Sequence, residues 1–114
     1  MNNNQLHGDQ FNQFAGTTTG ASVTATQAVG TNTNVYITDI VASSGSANSL
    51  LVIKSGSTII YEAQLMTTAS GLSVYEETLN TPLKGTKGTQ ITATVNGTTG
   101  TNTVAIAGYT LADA

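Results

Sequence analysis

Hydrophobic and polar residues alternate with a period of two along much of this chain, and short polar clusters interrupt the alternation. Between Thr89 and Val95, apolar side chains occupy every second position, at Ile91, Ala93 and Val95. Because successive side chains of a β-strand point to opposite faces of a sheet, this pattern predicts a half-buried strand. No segment shows the three- and four-residue spacing of an amphipathic helix.

Segments of this kind recur along the chain, separated by turns rich in Gly, Asn and Ser. They cover residues 22–28, 34–42, 49–54, 58–66, 72–78, 89–95 and 103–111. Turn signals at roughly 8–12-residue spacing without helical periodicity are typical of sandwiches, jelly rolls and small barrels. We therefore predict an all-β fold, a jelly roll or β-sandwich of about 7–8 antiparallel strands.

The first twenty residues do not follow the strand pattern. Amide side chains dominate them, and the large apolar side chains after Met1 are Leu6, Phe11 and Phe14, which include both phenylalanines of the protein. We predict an extended N-terminal arm over residues 1–20, followed by a β-sandwich domain over residues 21–114. Burying a phenylalanine is worth about 1.5–3 kcal/mol, so we expect the arm to dock on a neighbouring subunit through these three side chains. The alternative is a frayed terminus.

The composition disfavours several classes of function. Charged residues make up 8% of the chain and the net charge is -3, against a usual charged share of about 25%. The absence of cysteine removes thiolate-metal, redox and disulfide functions. The scarcity of positive charge disfavours a nucleic-acid partner, and no apolar run approaches the ~18 residues of a membrane helix. We expect no cofactor, no nucleic-acid partner and no membrane partner.

The titratable residues form no catalytic pattern. His7 is close to Asp9 in sequence, but both belong to the predicted arm, and a catalytic pair requires a rigid scaffold. Glu76 and Glu77 are adjacent, so in a strand they would face opposite sides. Asp39 interrupts an apolar strand and is expected at a sheet edge or beside the backbone donors of a turn, since no Asp-x-Asp cluster indicates a calcium site. We therefore expect no catalytic residues, no metal site and no enzymatic activity.

The four tyrosines are distributed one per predicted strand, and each lies beside aliphatic residues. This placement favours core or subunit-interface positions over a stacking surface for sugars or bases. The residues are Tyr36, Tyr61, Tyr75 and Tyr109.

The order of strands and turns in the middle of the chain resembles a known class of proteins. Val35 to Leu65 reads VYITDIVASSGSANSLLVIKSGSTIIYEAQL, and TPLKGT follows at Thr81 to Thr86 before a strand that alternates with threonine. Over about Val35 to Tyr109 this resembles the jelly-roll capsid decoration, or cement, proteins of tailed bacteriophages. The resemblance implies a β-sandwich that binds the outside of an icosahedral shell, usually as a dimer or trimer. It assigns no individual functional residue.

Two functions are consistent with these observations. The first is a structural cement protein that binds the major capsid protein and itself. It would bridge capsid subunits on the virion surface after assembly in the bacterial host cytoplasm. The second is a carbohydrate- or receptor-binding β-sandwich module of a phage fibre, since jelly rolls also serve as lectin folds. The second function would favour aromatic residues at one loop end, whereas the tyrosines lie within strands.

Overall fold

The computed structural model describes residues 9–17, 20–46, 49–67, 73–97 and 100–112 of the 114-residue chain. Every helix or strand element in these ranges is a β-strand, and there are nine. In chain order they are β1 (Asp9–Thr17), β2 (Val23–Gln27), β3 (Thr33–Ser44), β4 (Leu50–Ser55), β5 (Thr58–Gln64), β6 (Met66–Thr67), β7 (Ser73–Lys84), β8 (Ile91–Asn96) and β9 (Asn102–Ala112).

The strands form two antiparallel sheets that pack face to face. One sheet has five strands in the order β1-β9-β3-β7-β6, and the other has four in the order β2-β8-β4-β5. When the two-residue β6 is set aside, the remaining eight strands cross between the sheets in the order of a jelly roll. The predicted all-β jelly-roll class is therefore confirmed.

The hydrophobic core lies between the inner faces of the two sheets. The alternation predicted for β8 is confirmed, because Ile91, Ala93 and Val95 are buried while the threonines between them are only partly buried. Aliphatic side chains with no exposed surface come from both sheets and include Val35, Ile37, Ile40, Leu51, Ile53, Val104 and Ile106.

The segment from Asp9 to Thr17 is an edge strand of the five-stranded sheet. It pairs with β9 along its whole length. Its inner face points toward the core, where Phe11 and Ala15 pack against the buried cluster. Gln13 Nε2 also donates a hydrogen bond of 2.9 Å to Gln27 Oε1, which joins β1 to the edge strand of the other sheet.

This placement differs from the sequence analysis, which put residues 9–17 in an arm outside the sandwich. The amide-rich sequence of β1 lacks a clear apolar alternation, since its inner face carries a glutamine between Phe11 and Ala15. Backbone pairing with β9 fixes this segment as a strand, although its side-chain pattern does not indicate one. Residues 1–8 of the predicted arm lie outside the described residues.

The TPLKGT segment, which follows the strand predicted at residues 72–78, begins inside a strand. β7 continues through Pro82 to Lys84. Proline lacks the N–H that a ladder on both sides would need, so it is confined to edge positions. In the described part of the chain, the outer side of β7 is paired only at its first two residues, by β6, so Pro82 is compatible with this strand.

A register shift in β3 lies between Ile37 and Asp39, next to Gly108 of β9. A Cβ at Gly108 would overlap the backbone carbonyl oxygen of Tyr36, so this close approach of two strands requires glycine. Asp39 was expected at a sheet edge or beside turn donors, and neither placement is correct. It lies in a central strand, where its Oδ2 accepts a hydrogen bond of 3.0 Å from Thr38 Oγ1.

Buried hydroxyl and amide groups tie together the loops at one end of the sandwich. Ser44 Oγ donates to Asn102 Oδ1 at 2.5 Å, and Asn102 Nδ2 donates to the carbonyl oxygen of Ala21 at 2.8 Å. Ser49 Oγ donates in turn to Ser44 Oγ at 2.7 Å. Within the described ranges, no buried side-chain nitrogen or oxygen lacks a hydrogen-bond partner, which is the condition for burying polar groups without a large cost.

Candidate functional site

The outer face of the five-stranded sheet, which points away from the other sheet, carries a row of apolar side chains. Phe14, Ala105 and Val41 lie side by side on β1, β9 and β3, because Ala105 is the register partner of both neighbours. Phe14 is 69% exposed and Val41 is 47% exposed. Val74 of β7 is 42% exposed and lies in the adjacent row, opposite Ser43. We call Phe14, Ala105, Val41 and Val74 the apolar patch.

Small polar residues and one carboxylate border the apolar patch, since the exposed Glu76 of β7 is the register partner of Val41. Ser43 and Thr103, in the same row as Val74, share a hydrogen bond of 2.5 Å between their hydroxyls. Gly16 lies at the β1 end of this row, and a Cβ there would be 3.3 Å from Phe14 Cζ. The absence of a side chain at Gly16 therefore allows the Phe14 ring to lean along the sheet.

A pair of tyrosines occupies the other end of the same outer face. The rings of Tyr36 and Tyr109 are stacked, with centroids 4.9 Å apart and an interplanar angle of 16°. Lys84 Nζ lies over the Tyr36 ring, 5.8 Å from its centroid. Tyr36 pairs with Tyr109 on one side and with Lys84 on the other, so both faces of its ring are occupied by neighbours.

The structure separates the three side chains that the sequence analysis assigned to partner binding. Phe11 and Phe14 are three residues apart in one strand, so they point to opposite faces of the sheet. Phe11 supports the core of its own sandwich, while Phe14 points outward. Leu6 lies outside the described residues. Of the predicted set, Phe14 is therefore the described residue that is free to contact another molecule.

The sequence did not identify three members of the apolar patch as candidate binding residues, namely Ala105, Val41 and Val74. A usable signal was present at Val41, which follows the core residue Ile40 directly. Two adjacent apolar residues in one strand must face opposite sides, so one of them points away from the core. The sequence contains no signal that would place Phe14 beside Val41, because their proximity depends on β9 lying between their strands.

A pair of tyrosines spans the opposite side of the sandwich, between β5 and β7. The hydroxyls of Tyr61 and Tyr75 are hydrogen-bonded to each other, and both rings pack against the core cluster. Desolvation by burial, followed by the hydrogen bond with Tyr61 and the charges of Tyr61 and Glu77, raises the pKa of Tyr75 well above its usual value.

The acidic residues of the described segments do not converge. Glu62, Glu76 and Glu77 are all exposed, and His7 lies outside the described residues. Across the described ranges, no group of three or more His, Cys, Asp or Glu side chains is placed to hold a metal ion. No helix long and apolar enough to cross a membrane is found in the same ranges.

Comparisons with known proteins give only distant similarities. No protein-family model matches the chain, and no curated protein matches it. Among solved structures, it is similar to a virus-like particle of the extra small virus of the giant freshwater prawn Macrobrachium rosenbergii, with 11% identity over 92% of this chain and 80% of that chain, at a TM-score of 0.42. It is also similar to TmCBM61 in complex with β-1,4-galactotriose, with 17% identity over 87% of this chain and 70% of that chain, at a TM-score of 0.42. These similarities transfer no ligand, partner or activity to this chain.

Proposed function

We propose that this chain is a structural capsid decoration, or cement, protein. It binds the outer surface of a tailed-phage head as a dimer or trimer and stabilises the shell by bridging subunits of the major capsid protein. In this role the protein acts on the virion surface, after assembly in the bacterial host cytoplasm. The resemblance of residues 35–109 to jelly-roll cement proteins supports the class of partner.

The apolar patch is the observation that carries this proposal. Contiguous exposed apolar side chains bordered by polar residues mark interaction surfaces, and three of the four large hydrophobic side chains exposed in the described ranges belong to this patch. The fourth, Ile59, lies on β5 in the other sheet. The outer face of the five-stranded sheet is therefore the surface that we assign to the shell.

The energetics suit a protein that is present in many copies on a lattice. Covering the half-exposed side chains of the patch would contribute about 2–4 kcal/mol per copy before ordering costs. With 8% charged residues, the chain has little charged surface to desolvate. A weak contact of this size becomes effective when linked copies bind a fixed lattice, because each further contact is then intramolecular.

Co-sedimentation with phage heads that lack this protein tests the proposal. The heads are assembled from the capsid protein encoded in the same genome. Wild-type protein should sediment with the heads, and Phe14→Ala and Val41→Ala should each weaken binding by about threefold to tenfold. Ile59→Ala is the matched control, since it removes an exposed aliphatic side chain outside the patch. Equal loss of binding in all three variants, or no binding by wild-type protein, would contradict the assignment.

The second candidate is a carbohydrate- or receptor-binding module, which would use the tyrosine pair on the outer face as its stacking surface. Sugar stacking needs an accessible ring face, and Tyr36 has Tyr109 on one face and Lys84 on the other. This geometry weighs against the second candidate. Binding to a glycan array that is lost in Tyr109→Ala and retained in Phe14→Ala would select it over the cement function.

A further inference from the structure

The four long edges of the two sheets are protected to different degrees. β7 presents Glu76, Glu77, Pro82 and Lys84, and β5 presents Glu62. Charged side chains and proline on an edge strand oppose pairing with another chain. β2 has only five residues, and short edges also limit pairing. β1 has none of these protections over most of its nine residues, because its only charged residue is Asp9 at the start.

Charge is distributed unevenly between the two sides of the sandwich. The side formed by β1 and β2 belongs to a stretch with no Asp, Glu, Lys, Arg or His between Asp9 and Asp39. The side formed by β5 and β7 carries the exposed Glu62, Glu76 and Glu77. A second copy that approached the β7 edge by twofold symmetry would bring glutamates together, whereas at the β1 edge it would meet amides and apolar side chains.

We propose that a second copy of this chain pairs with the outer edge of β1, which no other strand of the described ranges pairs with. The two β1 strands would be antiparallel, about a twofold axis at Gln13. This dimer deepens the proposed function. Its role on the capsid rests on that proposed function, whereas its formation does not. Gln13 is the middle residue of β1, so this register overlaps all nine residues. It places Phe14 opposite Asn12 of the second copy, and Asp9 opposite Thr17, so the two carboxylates stay at opposite ends. Closed twofold dimers with such self-complementary contacts are the commonest assemblies.

The pairing would also extend the apolar patch. In this register the outer-facing positions of one copy meet outer-facing positions of the other, because side-chain direction alternates along both strands. The two Phe14 rings become diagonal neighbours across the axis, within reach of each other. The two rows of Phe14, Ala105 and Val41 then approach end to end on one continuous surface, so a dimer would present twice the apolar length to the shell.

Sedimentation equilibrium of the full chain, without capsids, tests whether the dimer forms. We expect a reversible monomer–dimer equilibrium. Asn12→Asp adds a carboxylate opposite the Phe14 ring of the second copy and should raise the dimer dissociation constant about tenfold or more. Asn80→Asp is the matched control, since it makes the same change at an exposed asparagine of the opposite edge strand, and it should leave the constant unchanged.

Pulsed electron paramagnetic resonance on single-cysteine variants tests the register, because the natural chain has no cysteine. Spin labels at the exposed positions Gln10, Asn12, Phe14 and Gly16 should give a symmetric profile. Labels at 12 and 14 should be equally close, and those at 10 and 16 equally distant, with roughly 6.6 Å added per residue from the axis. A monomer at all concentrations, an equal effect of both Asp variants, or a profile without this minimum would overturn the proposal. None of these results depends on capsid binding, so it can fail while the cement function stands.

Discussion

Two phenylalanines in one strand have different roles because they are three residues apart. Phe11 faces the core of its own sandwich and packs against the buried cluster. Phe14 faces outward and is 69% exposed. The sequence shows that both are unusual in an amide-rich segment, but it does not show that they belong to a strand. Their separation onto two faces follows from strand geometry alone.

Alanine variants of these two residues should therefore affect different properties, stability in one case and capsid binding in the other. Phe11→Ala should lower the free energy of unfolding by about 1–3 kcal/mol, since it removes partly buried apolar area and leaves a cavity. Phe14→Ala should change it by less than about 0.5 kcal/mol while weakening capsid binding. Urea unfolding of both variants measures the first effect. A larger loss of stability in Phe14→Ala than in Phe11→Ala would refute these placements.

The tyrosine pair between β5 and β7 predicts a loss of stability in alkali. The pKa of Tyr75 is raised in the folded state by burial, by its hydrogen bond with Tyr61 and by nearby charge. The unfolded chain therefore releases this proton first, at pH about 10. The contribution of Tyr75 is fully present below that pH, and it is lost as the pH rises toward the folded pKa.

Tyr75→Phe should flatten this alkaline decline. The free energy of unfolding of the wild-type chain should fall more steeply than that of the variant above pH about 10. Urea unfolding at a series of pH values gives the slope of the unfolding free energy against pH for both proteins. The difference between their free energies at pH 8 corrects for the effect of the substitution itself. Parallel slopes above pH 10 would show that Tyr75 does not titrate as described.

At the scale of elements, the sequence predicts strands well where apolar residues alternate. β8 and the β4–β5 hairpin around Gly56 agree with the pattern. β1 escapes detection because its inner face includes Gln13, which bonds to Gln27 across the sandwich edge instead of packing as an apolar side chain. The register shift in β3 also cannot be predicted from the local sequence, because it depends on the close approach of Gly108 in a strand about seventy residues later.

The placement of β1 predicts that the sandwich needs its N-terminal segment. A chain that begins at Ala21 loses the β1–β9 ladder and the packing of Phe11 and Ala15, so its free energy of unfolding should fall by about 3 kcal/mol or more. A chain that begins at Gly8 separates this effect from that of the preceding residues. Equal denaturant midpoints for the two truncated chains would restore the interpretation of residues 9–17 as an arm.

At the scale of the whole molecule, the jelly roll supplies two sheet faces and four edges, and function depends on which of them meets a partner. Tertiary pairing assembles the apolar patch from strands that are far apart in sequence, so no local motif reveals it. The resemblance to cement proteins supports the proposed class of partner, and the apolar patch supports the proposed surface. We therefore propose that this chain binds a capsid through the outer face of its five-stranded sheet.

Electron cryomicroscopy of decorated and undecorated heads tests this claim most directly. Heads that lack the protein are imaged alone and after addition of the wild-type chain. We expect added density on the outside of the shell, oriented so that Phe14 and Val41 face the capsid lattice and the four-stranded sheet faces solvent. Heads without added density, or density in which the four-stranded sheet faces the shell, would contradict it.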